Sequence, residues 1–195
     1  MSKLIKLLII GINSKIGSTA ANRFAKQSFE IYGTTRRRGF TDKNIQYLNL
    51  KDNPKQWPDP PHCDIALICA SINSIGECES KPDETRLINV DAIFNLTEKL
   101  ARNKSFVLFP STNMVFNGQI PLAKTDTPPS PTTVYASQKK IVEDFVLKEP
   151  INAAVIRYSK ILDPKHVLFT KWIADLKRGK KIEVFKDKIF SPISI

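Results

Sequence analysis

Tyr135 and Lys139 stand four apart in the segment Tyr135-Ala136-Ser137-Gln138-Lys139. On a helix, residues four apart share a face. A lysine ammonium beside a phenol favours the phenolate. The pair is therefore expected to bring the tyrosine below its reference pKa of about 10 and to provide a proton donor or acceptor usable near neutral pH. Upstream, Ser111-Thr112 follows the apolar run Phe106 to Phe109, and the Thr112 hydroxyl can serve the same substrate oxygen. Tyr-x-x-x-Lys also recurs by chance, so the surrounding elements must supply the context.

The first of these elements lies at the N-terminus. Leu4 to Ile10 is apolar except for Lys6 and reads as a buried parallel strand. Gly11-Ile12-Asn13-Ser14-Lys15-Ile16-Gly17 follows at once. A helix is expected from about Gly17-Ser18 to Gln27, with Ala20, Phe24 and Ala25 towards the sheet. Strand, glycine-bearing turn and helix N-terminus together make a pyrophosphate site, where backbone N–H groups and the helix dipole meet the anion. Ser14 stands where a third glycine would be expected. Its side chain narrows the approach to the phosphates, while its hydroxyl can donate a hydrogen bond.

A second strand is expected at about Phe29 to Thr34, and Arg36-Arg37-Arg38 follows it. In dinucleotide folds an acidic residue near this point holds the ribose 2′-hydroxyl, whereas arginine suits a 2′-phosphate. No Asp or Glu occurs between Ile31 and Phe40. Arg36 and Arg37 therefore predict NADP(H) over NAD(H).

Its 195 residues suffice for one domain with a sizeable core, and 42% hydrophobic and 25% charged residues are ordinary for a globular protein. No apolar run reaches membrane-spanning length, and the N-terminal run leads straight into the glycine loop. Cys63, Cys69 and Cys78, with His62, lack metal-ligand spacing. They read as reduced thiols of a cytoplasmic protein with no metal site. The net charge of +11 raises nucleic-acid binding as a distant reading. The cations are scattered, however, apart from Arg36 to Arg38 and Lys177 to Lys181, so an anionic cofactor and substrate are the simpler use for them.

Further strands are expected at Ile45 to Leu50, Ile65 to Ala70, Ser105 to Phe109, Ala153 to Tyr158 and Ile182 to Phe185. Long helices are expected at Asp83 to Arg102 and Thr132 to Lys148. Another is expected at Val167 to Lys177, with Leu168, Trp172, Ile173 and Leu176 as its core stripe. Prolines make the links at 54–61 and 121–131 irregular. Alternating strands and helices imply an α/β fold with a doubly wound parallel sheet, Rossmann-like, whose strand C-termini form the ligand edge.

In these motifs and their order the chain resembles the extended short-chain dehydrogenase/reductase family. Within it, the likeness is to sugar-nucleotide reductases of the dTDP-4-dehydrorhamnose reductase type. Gly11 to Gly17 resembles their cofactor loop, which makes Asn13, Lys15 and Ile16 cofactor-binding candidates beside Gly11, Ser14 and Gly17. Cys69-Ala70-Ser71 resembles the segment lying along the cofactor, and Asn49-Leu50 falls where the adenine is met. Ile88-Asn89-Val90 resembles the mark of the fourth helix. Ser111 to Gly118 resembles the active-site segment, with Thr112 in the Ser/Thr place and Ser111 and Asn113 bordering the substrate. Tyr135 and Lys139 match the catalytic pair, which also touches the cofactor. Ile156-Arg157-Tyr158 and Ser191-Pro192-Ile193 resemble the next strand and a pocket-bordering segment. The chain departs from the pattern at Ser14, at Asn49, where an acidic residue is common, and in ending at Ile195, before the family's sugar-nucleotide pocket is complete.

The resemblance implies an NADP-binding domain over 1–195, with 159–195 the start of a truncated or minimal substrate-binding part. It implies NADP(H)-dependent reduction of a keto group on a nucleotide-linked sugar. Thr112, Tyr135 and Lys139 would be catalytic, in a homodimer formed through the helices at 83–102 and 132–148. Asn113-Met114, in place of an Asp-Glu pair, argues against a 4,6-dehydratase. An epimerase and a non-catalytic NADP-binding regulatory subunit remain as alternatives.

Overall fold

The computed structural model describes residues 4–39, 42–148, 150–163, 167–183 and 191–194. Six strands form one sheet: β1 (Ile5–Ile10), β2 (Phe29–Thr35), β3 (Ile45–Tyr47), β4 (Ile65–Ile68), β5 (Phe106–Thr112) and β6 (Ala153–Tyr158). Their spatial order is β3-β2-β1-β4-β5-β6. β1 pairs in parallel with β2 and β4, β2 with β3, and β4 with β5. This is the doubly wound, Rossmann-like order, which reverses direction between β1 and β4 and opens a crevice at their C-terminal ends.

Alternation along β1 shows why both faces are covered. Leu8 and Ile10 join Ala66, Ile68, Val107 and Phe109 in one core. Leu7 and Ile9 join Leu67 in another. The first core is closed by α4 (Ala92–Arg102) through Ile93, Leu96 and Leu100, and by α5 (Val134–Val146) through Val142 and Val146. α1 (Lys15–Phe24) covers the second with Ala20, Ala21 and Phe24, while Ala25 is exposed.

Several elements differ from the sequence expectation. α1 begins two residues early, because Ser14 caps it. The long helix expected at 83–102 is α3 (Pro82–Arg86), a π-helical turn at Leu87–Asp91, and α4. A short helix, α2 (Ile75–Ser80), precedes them with Ser74 as its cap. β5 runs on through Pro110 to Thr112. Its last residue paired with β4 is Leu108, so the missing proline N–H removes no bond from that ladder.

The contacts divide the chain into two units, 1–157 and 158–195. In the second, β7 (Lys160–Leu162) and β8 (Pro192–Ser194) pair in parallel, and α6 spans Val167–Lys177. Of the expected core stripe of α6, Ile173 is 52% and Leu176 58% exposed and Trp172 is half-buried. The strand expected at Ile182 to Phe185 lies partly outside the described residues, and Ile182 and Glu183 carry no regular structure. Among the described residues no helix is long and apolar enough to cross a membrane.

Candidate functional site

A cleft of about 440 Å³ opens where β1 and β4 end. Gly11, Asn13 and Ser14 form its floor, and Cys69, Ala70 and Ser71 one wall. Gly11 has φ +80, and a Cβ there would lie 3.0 Å from Ala70. Only glycine combines that backbone with that approach. At Gly17 a Cβ would come within 2.5 Å of the Gly11 carbonyl oxygen. Ser14 has an ordinary extended backbone (φ −69, ψ 163), and its Oγ accepts from the Gly17 N–H at 3.0 Å. The middle position of this loop therefore needs no glycine, and serine contributes a helix cap. Lys15, Ile16 and Gly17 form the first turn of α1 and do not line the cleft.

The far side of the cleft is basic. Arg36 and Arg37 line it, as does Lys51, which the motifs did not single out. Arg38 instead lies over the Tyr47 ring at 4.6 Å. Asn49 and Leu50 also face the cleft. The Asn49 amide is held in a local turn: Nδ2 donates to Asp52 at 2.9 Å, and Oδ1 accepts from the Lys51 N–H at 3.3 Å. Ile72, Asn73, Ser74 and Glu77, from the loop before α2 and from α2 itself, complete the wall. Sequence reasoning missed them with that helix.

Tyr135 and Lys139 lie on α5, whose cap Thr133 accepts from the Ala136 N–H at 3.2 Å. The helix brings both onto β5. Lys139 is 5% exposed. Its Nζ donates to the Pro110 carbonyl at 2.9 Å and stands 4.6 Å from the Phe109 ring centroid and 5.9 Å from that of Tyr135. The expected electrostatics are overturned. Burial pushes the Tyr135 phenol up to about 12, with the Cys78 thiol adding to the rise. Burial brings the Lys139 ammonium down to about 8, opposed by Cys69, Glu143 and Cys78. Desolvation is the largest cause of both shifts, and neither shift has the other group among its causes. At neutral pH the phenol holds its proton and is a donor.

Thr112 lies two residues past Pro110, is buried, and accepts from the Met114 N–H at 3.2 Å. Ser111 is buried with no hydrogen-bond partner for its hydroxyl, and Asn113 is exposed. None of Ser111, Thr112, Asn113, Tyr135 and Lys139 lines the 440 Å³ cleft. The link between the two groups is Cys69. It lies in the cleft wall, and its thiol is pushed up to about 12 by burial against the opposing pull of Ser14 and Lys139.

Two further residues position the site. Asn89, within the π turn, accepts from the Ile72 N–H at 2.7 Å and donates to the Ile72 carbonyl at 2.9 Å, which fixes the cleft wall. Its signal in the sequence is a polar residue flanked by the apolar Ile88 and Val90. Glu143, one helical turn beyond Lys139, is 1% exposed and takes three bonds from Arg157, the shortest 2.7 Å. Arg157 also donates to the Thr125 carbonyl at 2.9 Å and lies over Phe116. It thereby fastens the proline-rich loop to α5.

Residues 5–195 match the RmlD substrate binding domain family. Over 156 residues the sequence is 29% identical to methionine adenosyltransferase 2 subunit beta of Xenopus tropicalis, an alignment covering 78% of this chain and 46% of that protein. The chain thus spans about half the length of that curated relative. A hypothetical dTDP-4-dehydrorhamnose reductase from Sulfolobus tokodaii superposes with TM-score 0.78 at 24% identity, over 97% of this chain and 68% of that one. The dTDP-4-dehydrorhamnose reductase of Bacillus anthracis, solved in complex with NADP, gives TM-score 0.77 at 18% identity, over 93% and 62%.

Proposed function

The chain belongs to the RmlD substrate binding domain family, and on that premise we propose that it binds NADP(H) and reduces a keto group on a nucleotide-linked sugar. The observation that carries this reading is a proton-holding tyrosine, paired with a buried lysine, at the same sheet edge as a glycine-floored, basic cleft.

The residues present fit the cofactor. Gly11, Asn13 and Ser14 would hold a pyrophosphate at the N-terminus of α1, whose first turn has no acidic residue to oppose an anion. Arg36 and Arg37 would hold a 2′-phosphate, and Asn49 and Leu50 would face the adenine. When bound, the nicotinamide supplies the reducing equivalent. The chain's own residues do the rest. Tyr135 Oη gives its proton to the developing alkoxide. Lys139, beside the phenol, stabilises the phenolate left behind. Thr112 Oγ donates to the same oxygen. Ser111 and Asn113 border the substrate.

The test is single-turnover NADPH oxidation with a panel of keto-sugar nucleotides. It uses protein purified from its own source, so that any residues beyond Ile195 are present. Tyr135→Phe should lose about 10²–10⁴ in rate with NADPH affinity little changed. Undiminished reduction by that variant would reject the assignment.

A second reading, a non-catalytic NADP-binding regulatory subunit, is favoured by the likeness to a subunit beta and by the bond holding the Lys139 ammonium to Pro110. NADPH binding without turnover of any substrate would support it over the first. An epimerase would use the same three side chains and would show as interconversion of sugars without net NADPH loss. In either case we place a homodimer on α4 and α5, where Phe94 and Phe145 stack at 4.0 Å. A monomer in light scattering at micromolar concentration would count against it.

A further inference from the structure

Gln138 lies between Tyr135 and Lys139 on α5 and is 4% exposed. Its Nε2 donates to Thr85 Oγ1 at 3.0 Å and to the Pro82 carbonyl at 3.2 Å, and its Oε1 accepts from Asn89 Nδ2 at 2.8 Å. The polarity of this chain of bonds is determined at both ends. A proline carbonyl only accepts, so Nε2 must face Pro82. Thr85 Oγ1 gives its own proton to the Lys81 or Pro82 carbonyl and so accepts from Gln138. At the other end the Ile72 N–H only donates, so Asn89 Oδ1 faces it. Asn89 Nδ2 then has its two hydrogens for the Ile72 carbonyl and Gln138 Oε1, with the Cys78 sulfur a longer third acceptor at 3.8 Å. Both amides are satisfied, and neither can flip without leaving a buried group unpaired.

We propose that Gln138 is a positioning residue: acting through Asn89, it fixes the cleft loop at Ile72 to the helix that carries Tyr135 and Lys139. Among the described residues a second bond ties this wall to α5, from the Val134 N–H to the Glu79 carboxylate of α2 at 2.8 Å. It is exposed and lies at the start of the helix, whereas the Gln138–Asn89 bond is buried and ends on the Ile72 loop itself. Directional bonds of one fixed polarity hold a register that packing alone leaves loose. The nucleotide-binding part of the proposal rests on the function proposed above. The coupling part does not.

The experiment is NMR-detected amide exchange and NADPH titration on Gln138→Leu, which has similar bulk and no polar head. With one hydrogen bond on Asn89 lost, Ile72 amide exchange should accelerate about tenfold. The amides of Leu8 and Ala66, in the central strands, should keep their protection. NADPH affinity should fall by about the same factor. Gln138→Glu, whose carboxylate would meet the Pro82 carbonyl, should be worse than Gln138→Leu. Should Gln138→Leu not fold, Thr85→Val leaves Gln138 in place without its anchor and should accelerate Ile72 in the same direction to a smaller degree. Unchanged Ile72 exchange, or acceleration of all core amides together, overturns the coupling. Faster Ile72 exchange with unchanged NADPH affinity overturns the role in binding. If the wild type binds no NADPH, the functional reading falls and the exchange data still judge the coupling.

Discussion

Replacing Lys139 by methionine should leave the folded chain at least as stable at neutral pH, although it removes a side chain assigned to the chemistry. The argument starts from desolvation. In the fold the Lys139 ammonium is brought from its ordinary 10.5 to about 8. At about 1.4 kcal/mol per unit, keeping it charged inside costs the fold about 3 kcal/mol. Methionine fills a similar space without charge. The replacement leaves the Pro110 carbonyl without its donor, at about 1–3 kcal/mol, so the net result at pH 7 is between no change and a gain of about 2 kcal/mol. The pH dependence is the sharper test. Because the folded pKa is the lower one, the unfolded chain carries more protons between about pH 8 and 10.5, and this contribution to wild-type stability rises with pH across that window. Between pH 7 and 9.5 the wild type should gain about 2 kcal/mol on Lys139→Met. Cys63, raised by burial, titrates in both proteins and cancels in the difference, whereas Cys69 and Cys78 interact with Lys139 and titrate together with the group that the substitution removes. Urea unfolding at the two pH values is the assay. A loss of more than about 2 kcal/mol at pH 7, or a difference that stays constant with pH, would refute the desolvation argument.

If Arg36 and Arg37 meet a 2′-phosphate, Arg36→Ala/Arg37→Ala should weaken NADPH by about 1.5–3 kcal/mol and NADH far less. Fluorescence titration of both cofactors decides this, and equal losses would remove the arginines from the phosphate. Arg157→Ala leaves the buried Glu143 carboxylate uncompensated and should destabilise the chain by about 3–5 kcal/mol in chemical denaturation. Glu143→Leu/Arg157→Met should recover most of that loss, and a double variant as weak as Arg157→Ala would contradict the ion-pair account.

The large apolar periodicities were readable in the sequence. The run ending at Ile10 is a strand because Leu7 to Ile10 are buried on both sheet faces, which yields a continuous apolar stretch rather than alternation. α5 was readable from its spacing, and so was its role in bringing Tyr135 and Lys139 to one place. α2 was not, since six residues including Gly76 give no helical period. The three-residue strands β7 and β8 are likewise too short to show one. The direction of the Tyr135 shift was hidden for a different reason. Spacing says which groups are neighbours, while burial, which decides whether charge is tolerated, is set by Phe109, Pro110 and the rest of the sheet. Lys51 and Gln138 went unnoticed because each is polar in a polar stretch, and only the tertiary fold turns one towards the cleft and the other inward.

The π turn at Leu87–Asp91 closes with a bond reaching five residues, so it holds one residue more than an α-helical turn. A deletion inside it would return that turn to an ordinary α-helical one, and α4 beyond it would keep its phase, with Ile93, Leu96 and Leu100 still in the core. The change would be local: Asn89, which sits within the wide turn, would be re-aimed and would lose the Ile72 backbone. For this segment the extra residue serves the cleft wall and not the helix behind it, so the loss of one codon would loosen the loop at Ile72 while the core packing of α4 stayed in place.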